Sequence, residues 1–160
     1  MIILGIDPGT TIIGYSILEI IKNNINLLDY GCIKTDNSSE EEKLIQIGED
    51  IKIILNKWEI EKASIEDLFF TNNAKTAIKV AQARGVIMYE IAKKGIEIHS
   101  FTPPQIKSAI CGYGKADKKM VQKMLKTILN LKEIPKQDDS ADAIAAGICL
   151  ANSIKMKLIK

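Results

Sequence analysis

Aromatic side chains are scarce in this chain, 5% of its residues, so two that stand side by side, Phe69 and Phe70, are conspicuous. Cysteine is limited to Cys32, Cys111 and Cys149. Three thiols, odd in number and far apart, exclude a disulfide framework and give no metal-ligand spacing; reduced, buried thiols in a cytoplasmic protein are expected. Histidine occurs once, at His99, within a strand-like run away from the motifs below, and is read as structural or exposed. No apolar stretch approaches the ~18–20 residues of a membrane span, so no membrane partner is expected. The first residues carry no charged n-region and no small-residue cleavage site, and no signal peptide is expected. Internal repeats and low-complexity tracts are also missing. What is present is a chain of 160 residues, 46% apolar, too apolar to be disordered and long enough for one domain with a real core.

A formal net charge of +2 conceals two opposed regions. Residues 36–67 hold ten acids and only four lysines, whereas residues 101–136 hold eight lysines beside Asp117 and Glu133. A chain with one strongly basic third can take a polyanionic partner, although lysines also solvate ordinary helix faces.

The stretch Ile2-Ile3-Leu4-Gly5-Ile6-Asp7-Pro8-Gly9-Thr10-Thr11 reads as an apolar strand that ends on a carboxylate and turns through Pro and Gly. A second apolar, β-branched run follows over 12–18, and after the turn signal Asn23-Asn24 a third strand covers 25–34. Connections this short imply an antiparallel meander. Ser38 and Ser39, followed three residues later by Glu41 and Glu42, make a capping-box signature. Leu44, Ile47, Ile51, Leu55 and Trp58 then share one helical face. Residues 62–66 form a short strand that joins the sheet in parallel, residues 73–94 a helix, and residues 96–101 a fifth strand. Short helices are expected near 104–111 and 116–130, and a last one from Asp138 or Asp139. The order β-β-β-α-β-α-β-α-α-α predicts an α/β fold, a mixed five-stranded sheet (three antiparallel strands, then two parallel) flanked by helices.

Four acids fall at element ends. Asp7 closes the first strand and Glu66 the fourth; Asp139 and Asp142, three apart, share one face at the start of the last helix. If the first and fourth strands are neighbours, Asp7 and Glu66 come together and the helix N-terminus closes over them, its dipole favouring ionised acids. Hard divalent cations, Mg²⁺ or Mn²⁺, suit such oxygen-only sites, and two of them about 4 Å apart support phosphodiester hydrolysis. Each acid alone also has a plainer use: Asp7 as a turn starter, Glu66 as a surface ion-pair partner, Asp138 or Asp139 as an N-cap.

In the helix expected at 116–130, Val121, Met124, Leu125 and Ile128 share one face. At 100° per residue Lys115, Lys119, Lys123 and Lys126 fall within an arc of about 80° opposite, an all-lysine face suited to a phosphate backbone. Phe69 and Phe70, between Glu66 and the polar Thr71-Asn72-Asn73, either stack on an unpaired base or belong to the core. Gly112, Gly114 and Lys115 form a loop able to approach a backbone closely. Ala77, Ala81 and Gly85, at fourfold spacing, allow close approach of the sheet or of another helix.

Gly5-Ile6-Asp7-Pro8-Gly9 with Gly14-Tyr15, then Ile65-Glu66-Asp67-Leu68-Phe69, Gln82-Ala83-Arg84-Gly85 and Asp139-Ser140-Ala141-Asp142-Ala143, in this order and at these separations, resemble the RuvC family of crossover junction endodeoxyribonucleases over nearly the whole chain. The resemblance implies an RNase H-like fold, with residues 1–160 as a single nuclease domain. It implies Asp7, Glu66, Asp139 and Asp142 as catalytic residues and metal ligands, with Asp138 an extra acid beside the matching position. It implies Mg²⁺, two ions per site, with Mn²⁺ able to substitute. Lys107 and Lys118 match junction-contacting positions and join Lys115, Lys119 and Lys123 as DNA-binding candidates; Phe69 occupies the family's exposed aromatic position. Ala77, Ala81 and Gly85 would form a two-fold homodimer interface. The implied activity is Holliday junction resolution: symmetric nicks with 5′-phosphate and 3′-hydroxyl ends in two like-polarity strands of four-way junction DNA, in recombination and repair, with a branch-migration complex as a further partner. Three other readings stay open from the residues: a related nuclease acting on RNA, a junction-binding protein without nuclease activity, and an actin-like ATP-binding domain, which would need a second phosphate motif.

Overall fold

The computed structural model describes residues 1–22, 24–36, 39–68, 74–133 and 135–158. Strands β1 (Ile2–Asp7), β2 (Ile12–Ile21) and β3 (Asn24–Lys34) form the expected antiparallel meander. Helix α1 (Glu40–Lys57) leads into β4 (Lys62–Glu66), parallel to β1, and α2 (Ala74–Lys93) into β5 (Glu97–Phe101), parallel to β4. Three further helices, α3 (Pro103–Cys111), α4 (Lys118–Ile128) and α5 (Asp138–Leu158), complete the described chain. The strand order is β3-β2-β1-β4-β5, so β1 and β4 are indeed neighbours.

Local chemistry accounts for the element ends. Ser39 Oγ accepts from the Glu42 amide at 3.2 Å while the Ser39 amide donates to Glu42 Oε2 at 2.9 Å, a reciprocal capping box that satisfies two of the free N–H groups at the start of α1. Ser38, also part of the expected signature, lies outside the described residues. Pro103 and Pro104 open α3, where missing N–H groups cost nothing, and Gly112 ends it in the left-handed region at φ 72°. Asp117 caps α4 by accepting from the Met120 amide at 2.8 Å. That cap corrects one sequence expectation. The helix begins at Lys118, so Lys115 precedes it in the connecting loop and is not part of the lysine arc on its face. Periodicity alone carries no signal for where a cap interrupts it.

The two faces of the sheet are covered differently. Side chains alternate along a strand, so Leu4 and Ile6 of β1, with Ile13 and Ile17 of β2, face α1 and α2, where Ile47, Ile51, Ile87 and Ile91 are fully buried against them. Burying each such side chain contributes about 2 kcal/mol. Ile3, Gly5 and Asp7 of β1, and Ser64 and Glu66 of β4, face the other way, toward α5, which packs with α3 and α4 through Ile106, Ile110, Leu125 and Ile144 and against Leu18 of β2. Of the cysteines, Cys149 is buried as expected; Cys32 and Cys111 are only half-buried, and all three are free thiols. His99 is half-buried on β5, its Nε2 3.1 Å from Glu97 Oε1 and its ring stacked on Phe101. No helix among the described residues is long and apolar enough to cross a membrane.

Candidate active site

Small residues bring α5 down onto the strands. A Cβ on Gly5 would stand 2.2 Å from the Ala143 carbonyl oxygen, and one on Gly14 1.9 Å from that of Asp139, closer than real Cβ atoms approach. Ser16 Oγ donates to the Ala143 carbonyl at 3.0 Å and Ser64 Oγ to the Ala146 carbonyl at 2.7 Å, so two buried hydroxyls on β2 and β4 find acceptors on the helix itself. These contacts fix the axial position of α5, and with it the position of the acids in its first two turns.

Asp7 and Glu66 stand at the adjacent C-terminal ends of β1 and β4. The register pairs Gly5 with Ser64 and Ile6 with Ile65; continued by one residue, it sets Asp7 beside Glu66. Asp142 comes over both from α5. These three acids share a cavity of about 310 Å³ with Pro103, Ile106 and Lys107 of α3, Lys118, Val121 and Gln122 of α4, and Ala141 and Ala145 of α5. Asp139 is half-buried beside Gly14 and acts on Asp7 electrostatically, while the described cavity lining does not include it.

The acids are held against their ionisation. Burial, then repulsion from Glu66, Asp142 and Asp139, pushes the Asp7 carboxyl up to about 8, with Lys118 pulling the other way. Burial and the Asp142 charge raise Glu66 to about 7, opposed by Lys107. Asp142 is raised too, chiefly by burial, against the lowering effect of Lys118. Burial would lower the Lys118 ammonium, but its contacts with Asp138 and Asp142 outweigh that and raise it. Clustered, desolvated carboxyls of this kind mark functional sites more often than structural ones. Their donors are all oxygen, and a divalent cation removes both the desolvation cost and the repulsion, so the residues fit such an ion. Among the described residues, no group of three or more histidine, cysteine, aspartate or glutamate side chains is drawn up into a metal-holding arrangement.

The basic candidates divide. Lys107 and Lys118 line the cavity. Lys118 Nζ lies 3.1 Å from Asp138 Oδ2 and 3.6 Å from Asp142 Oδ2, and Gln122 Nε2 donates to Asp138 Oδ1 at 3.2 Å. Asp138, the extra acid, is therefore part of the network that holds Lys118. Lys119, Lys123 and Lys126 are exposed along α4, and Lys115 is exposed in the loop before it. Phe69, with Phe70 and residues 71–73, lies outside the described residues. Of the small-residue stripe, Ala77 is half-buried and Ala81 and Gly85 are exposed; among the described residues, and apart from its chain neighbours and the adjoining backbone of α2, no atom stands within 4 Å of where a Gly85 Cβ would be. The packing of α2 on the sheet uses Ala83, Ile87 and Ile91 instead, and the stripe is left on its outer face with Ile78 and Tyr89.

Sequence reasoning had no role for Ser16, Ser64, Gln122 or Arg84. The first two read as polar breaks in apolar strands, a pattern that marks a buried hydroxyl with a partner; Arg84 lay in a motif quoted only for its resemblance.

The sequence model of the family "Crossover junction endodeoxyribonuclease RuvC" matches residues 3–150. The chain belongs to that family. It is 46% identical over 157 residues to the family protein of Halothermothrix orenii, covering 98% of this chain and 95% of the relative. To that of Fusobacterium nucleatum it is 48% identical over 159 residues, covering 99% and 84%. Among solved structures, Thermus thermophilus RuvC in complex with a Holliday junction substrate superposes with a TM-score of 0.93 at 30% identity, covering 98% of this chain and 96% of that one. The mixed sheet with helices on both faces is thus the RNase H-like fold of RuvC proteins.

Proposed function

We propose that this chain is a homodimeric, divalent-metal-dependent Holliday junction resolvase, a single nuclease domain that nicks two like-polarity strands of a four-way DNA junction symmetrically and leaves 5′-phosphate and 3′-hydroxyl ends. The observation that carries the proposal is one cavity lined by both buried acids and lysines. Asp7, Glu66 and Asp142 line it together with Lys107 and Lys118, and Lys118 Nζ stands 3.6 Å from Asp142 Oδ2. A module that only bound DNA would gain nothing from buried acids aimed at phosphates.

Asp7, Glu66, Asp139 and Asp142 would hold the metal, as catalytic residues. When bound, two such ions supply an activated water and stabilise the leaving oxygen in an in-line displacement; Mg²⁺ or Mn²⁺ both suit these donors. The rest falls to the chain's own groups. Lys107 and Lys118 place positive charge beside the scissile phosphate, and Asp138 holds the Lys118 ammonium at the cavity mouth. Lys115, Lys119 and Lys123 carry the arms of the junction by backbone contacts that read no sequence. Phe69, one residue beyond the described end of the β4 loop, would stack on a base opened at the crossover. The outer face of α2, with Ala81 and Gly85 flanked by exposed Ile78 and Tyr89, would meet its two-fold copy and set two sites against two symmetric strands. A branch-migration complex would present the junction to this dimer.

The test is nicking of a synthetic four-way junction, beside a linear duplex and an RNA–DNA hybrid of the same sequence, with and without Mg²⁺. Paired symmetric nicks in the junction alone, dependent on Mg²⁺, are expected. Cleavage of the hybrid instead would move the reading to an RNA-directed nuclease, and tight junction binding without nicks in Mg²⁺ or Mn²⁺ to a binding protein. Sedimentation of wild type and Gly85→Arg tests the dimer: the variant should sediment as a monomer.

A further inference from the structure

Where β4 ends, one guanidinium is engaged in work that neither the acid cluster nor the cavity lysines explain. The β4–β5 ladder runs to Glu66 opposite Phe101, and its last bond is the Asp67 amide donating to the Phe101 carbonyl at 2.8 Å. Beyond it the backbone leaves the sheet. Arg84 reaches back to this point from the middle of α2, with only 16% of its side chain exposed. Its Nε donates to the Glu66 carbonyl at 3.4 Å, and one terminal nitrogen donates to Ser100 Oγ of β5 at 2.7 Å. The same nitrogen stands 3.3 Å from Asp67 Oδ1, and that carboxylate oxygen accepts from the Leu68 amide at 3.0 Å.

We propose that Arg84 is the positioning residue for Glu66: its guanidinium pins the Glu66 backbone, Asp67 and β5 to α2, and so fixes the site acid where the β4–β5 ladder ends. The claim rests on the nuclease reading above for its catalytic consequence and on geometry alone for the anchoring. A planar fork of five donors meets three acceptors at once, two at the end of β4 and one on β5, which a lysine ammonium on a flexible stem does not reproduce. Glu66 sits on the last residue of a five-residue strand. Because Arg84 adjoins Gly85 on the outer stripe of α2, the same helix that would carry the dimer interface also sets this acid.

The test uses full-length Arg84→Ala, Arg84→Lys and Asp67→Asn proteins. Single-turnover cleavage of a four-way junction in Mg²⁺ should fall about 100-fold in Arg84→Ala, the scale of a misplacement near 1 Å, with the junction dissociation constant and the melting temperature unchanged. Arg84→Lys should be rescued little, free guanidinium should restore much of the Arg84→Ala rate, and adding Asp67→Asn to Arg84→Ala should cost little more. A second readout needs neither metal nor DNA: amide exchange at Asp67 and Leu68 should speed up in Arg84→Ala while the centre of β1 stays protected. Wild-type rates in Arg84→Lys, a loss confined to junction affinity, or a general loss of protection without guanidinium rescue would each overturn the proposal. If the wild type makes no nicks, the function reading fails, and amide exchange still decides the anchoring.

Discussion

On the α1/α2 side of the sheet, full-sized aliphatic side chains meet full-sized aliphatic side chains: Ile47, Ile51, Ile87 and Ile91 against Leu4, Ile6, Ile13 and Ile17. On the α5 side, at the end that carries the acids, glycine and serine meet alanine and backbone: Gly5, Gly14, Ser16 and Ser64 against Ala143, Ala146 and the Asp139 carbonyl. The first face supplies burial and tolerates modest repacking. The second supplies position. A helix that lies directly on strand backbone, tied by two buried hydroxyl bonds, has little room to slide, and the acids of its first turns are set relative to Asp7 and Glu66.

The contrast predicts opposite consequences for single substitutions on the two faces. Gly14→Ala puts a methyl group where the Asp139 carbonyl stands, so α5 must shift by an ångström or more; cleavage should fall about 100-fold or beyond in protein that still melts cooperatively. Ile51→Ala should do the reverse. Loss of a fully buried isoleucine costs about 2–5 kcal/mol of stability, read as a lower melting midpoint, while the cleavage rate of the folded protein at a temperature well below it is unchanged. If Gly14→Ala cleaves normally, or Ile51→Ala loses its rate before it loses its fold, the division between faces is wrong.

A smaller effect sharpens the electrostatic side of the comparison. Asp7 and Glu66 are held at about 8 and about 7 against ordinary values of 3.8 and 4.5. A raised folded value means that the folded chain binds more protons than the unfolded one. The stability these groups contribute is thus present in full below their unfolded values of 3.8 and 4.5 and is lost as pH rises through about 7 and about 8. Thermal melts without metal should fall over this range, more steeply in wild type than in Asp7→Asn, and Mg²⁺ should raise the midpoint more at pH 8 than at pH 5. A metal-free profile that is flat, or identical in the variant, contradicts the burial and repulsion described here.

The smallest effect belongs to the exposed lysines. Replacing Lys119 and Lys123 together by alanine should weaken junction binding and lower the slope of log affinity against log salt by about 1–2, with the cleavage rate of bound junction intact. An unchanged slope removes α4 from the DNA-binding surface.

Much of this was legible in the sequence, for reasons that differ from residue to residue. Alternation and helical periodicity, with turn, proline and capping signals, located the five strands and five helices of the described residues, since much of each element's burial and punctuation is written in its own residues. Asp7 and Glu66 were visible as carboxylates ending apolar strands, and Asp139 and Asp142 as a pair one turn apart at a helix start. The arc of lysines was visible except at Lys115, where the Asp117 cap starts the helix later than periodicity indicates. What escaped depends on pairs distant in sequence. The seats of Ala143 on Gly5 and of Asp139 on Gly14, the hold of Asp138 on Lys118, and the reach of Arg84 to Glu66 each join elements whose spacing along the chain says nothing about their approach. The expectation that the Ala77, Ala81 and Gly85 stripe packs inward or outward stayed open until the structure put Ala81 and Gly85 outside.

The most direct measurement of the account is Asp7→Asn, with junction binding and junction nicking followed in the same samples. The substitution removes the charge and keeps the shape of the most strongly perturbed acid. The account predicts junction affinity at or slightly above that of the wild type, Mn²⁺ binding weakened, and no nicks in Mg²⁺ or Mn²⁺. Nicking at the wild-type rate by Asp7→Asn would contradict the claim that the acids at the ends of β1 and β4 carry the chemistry.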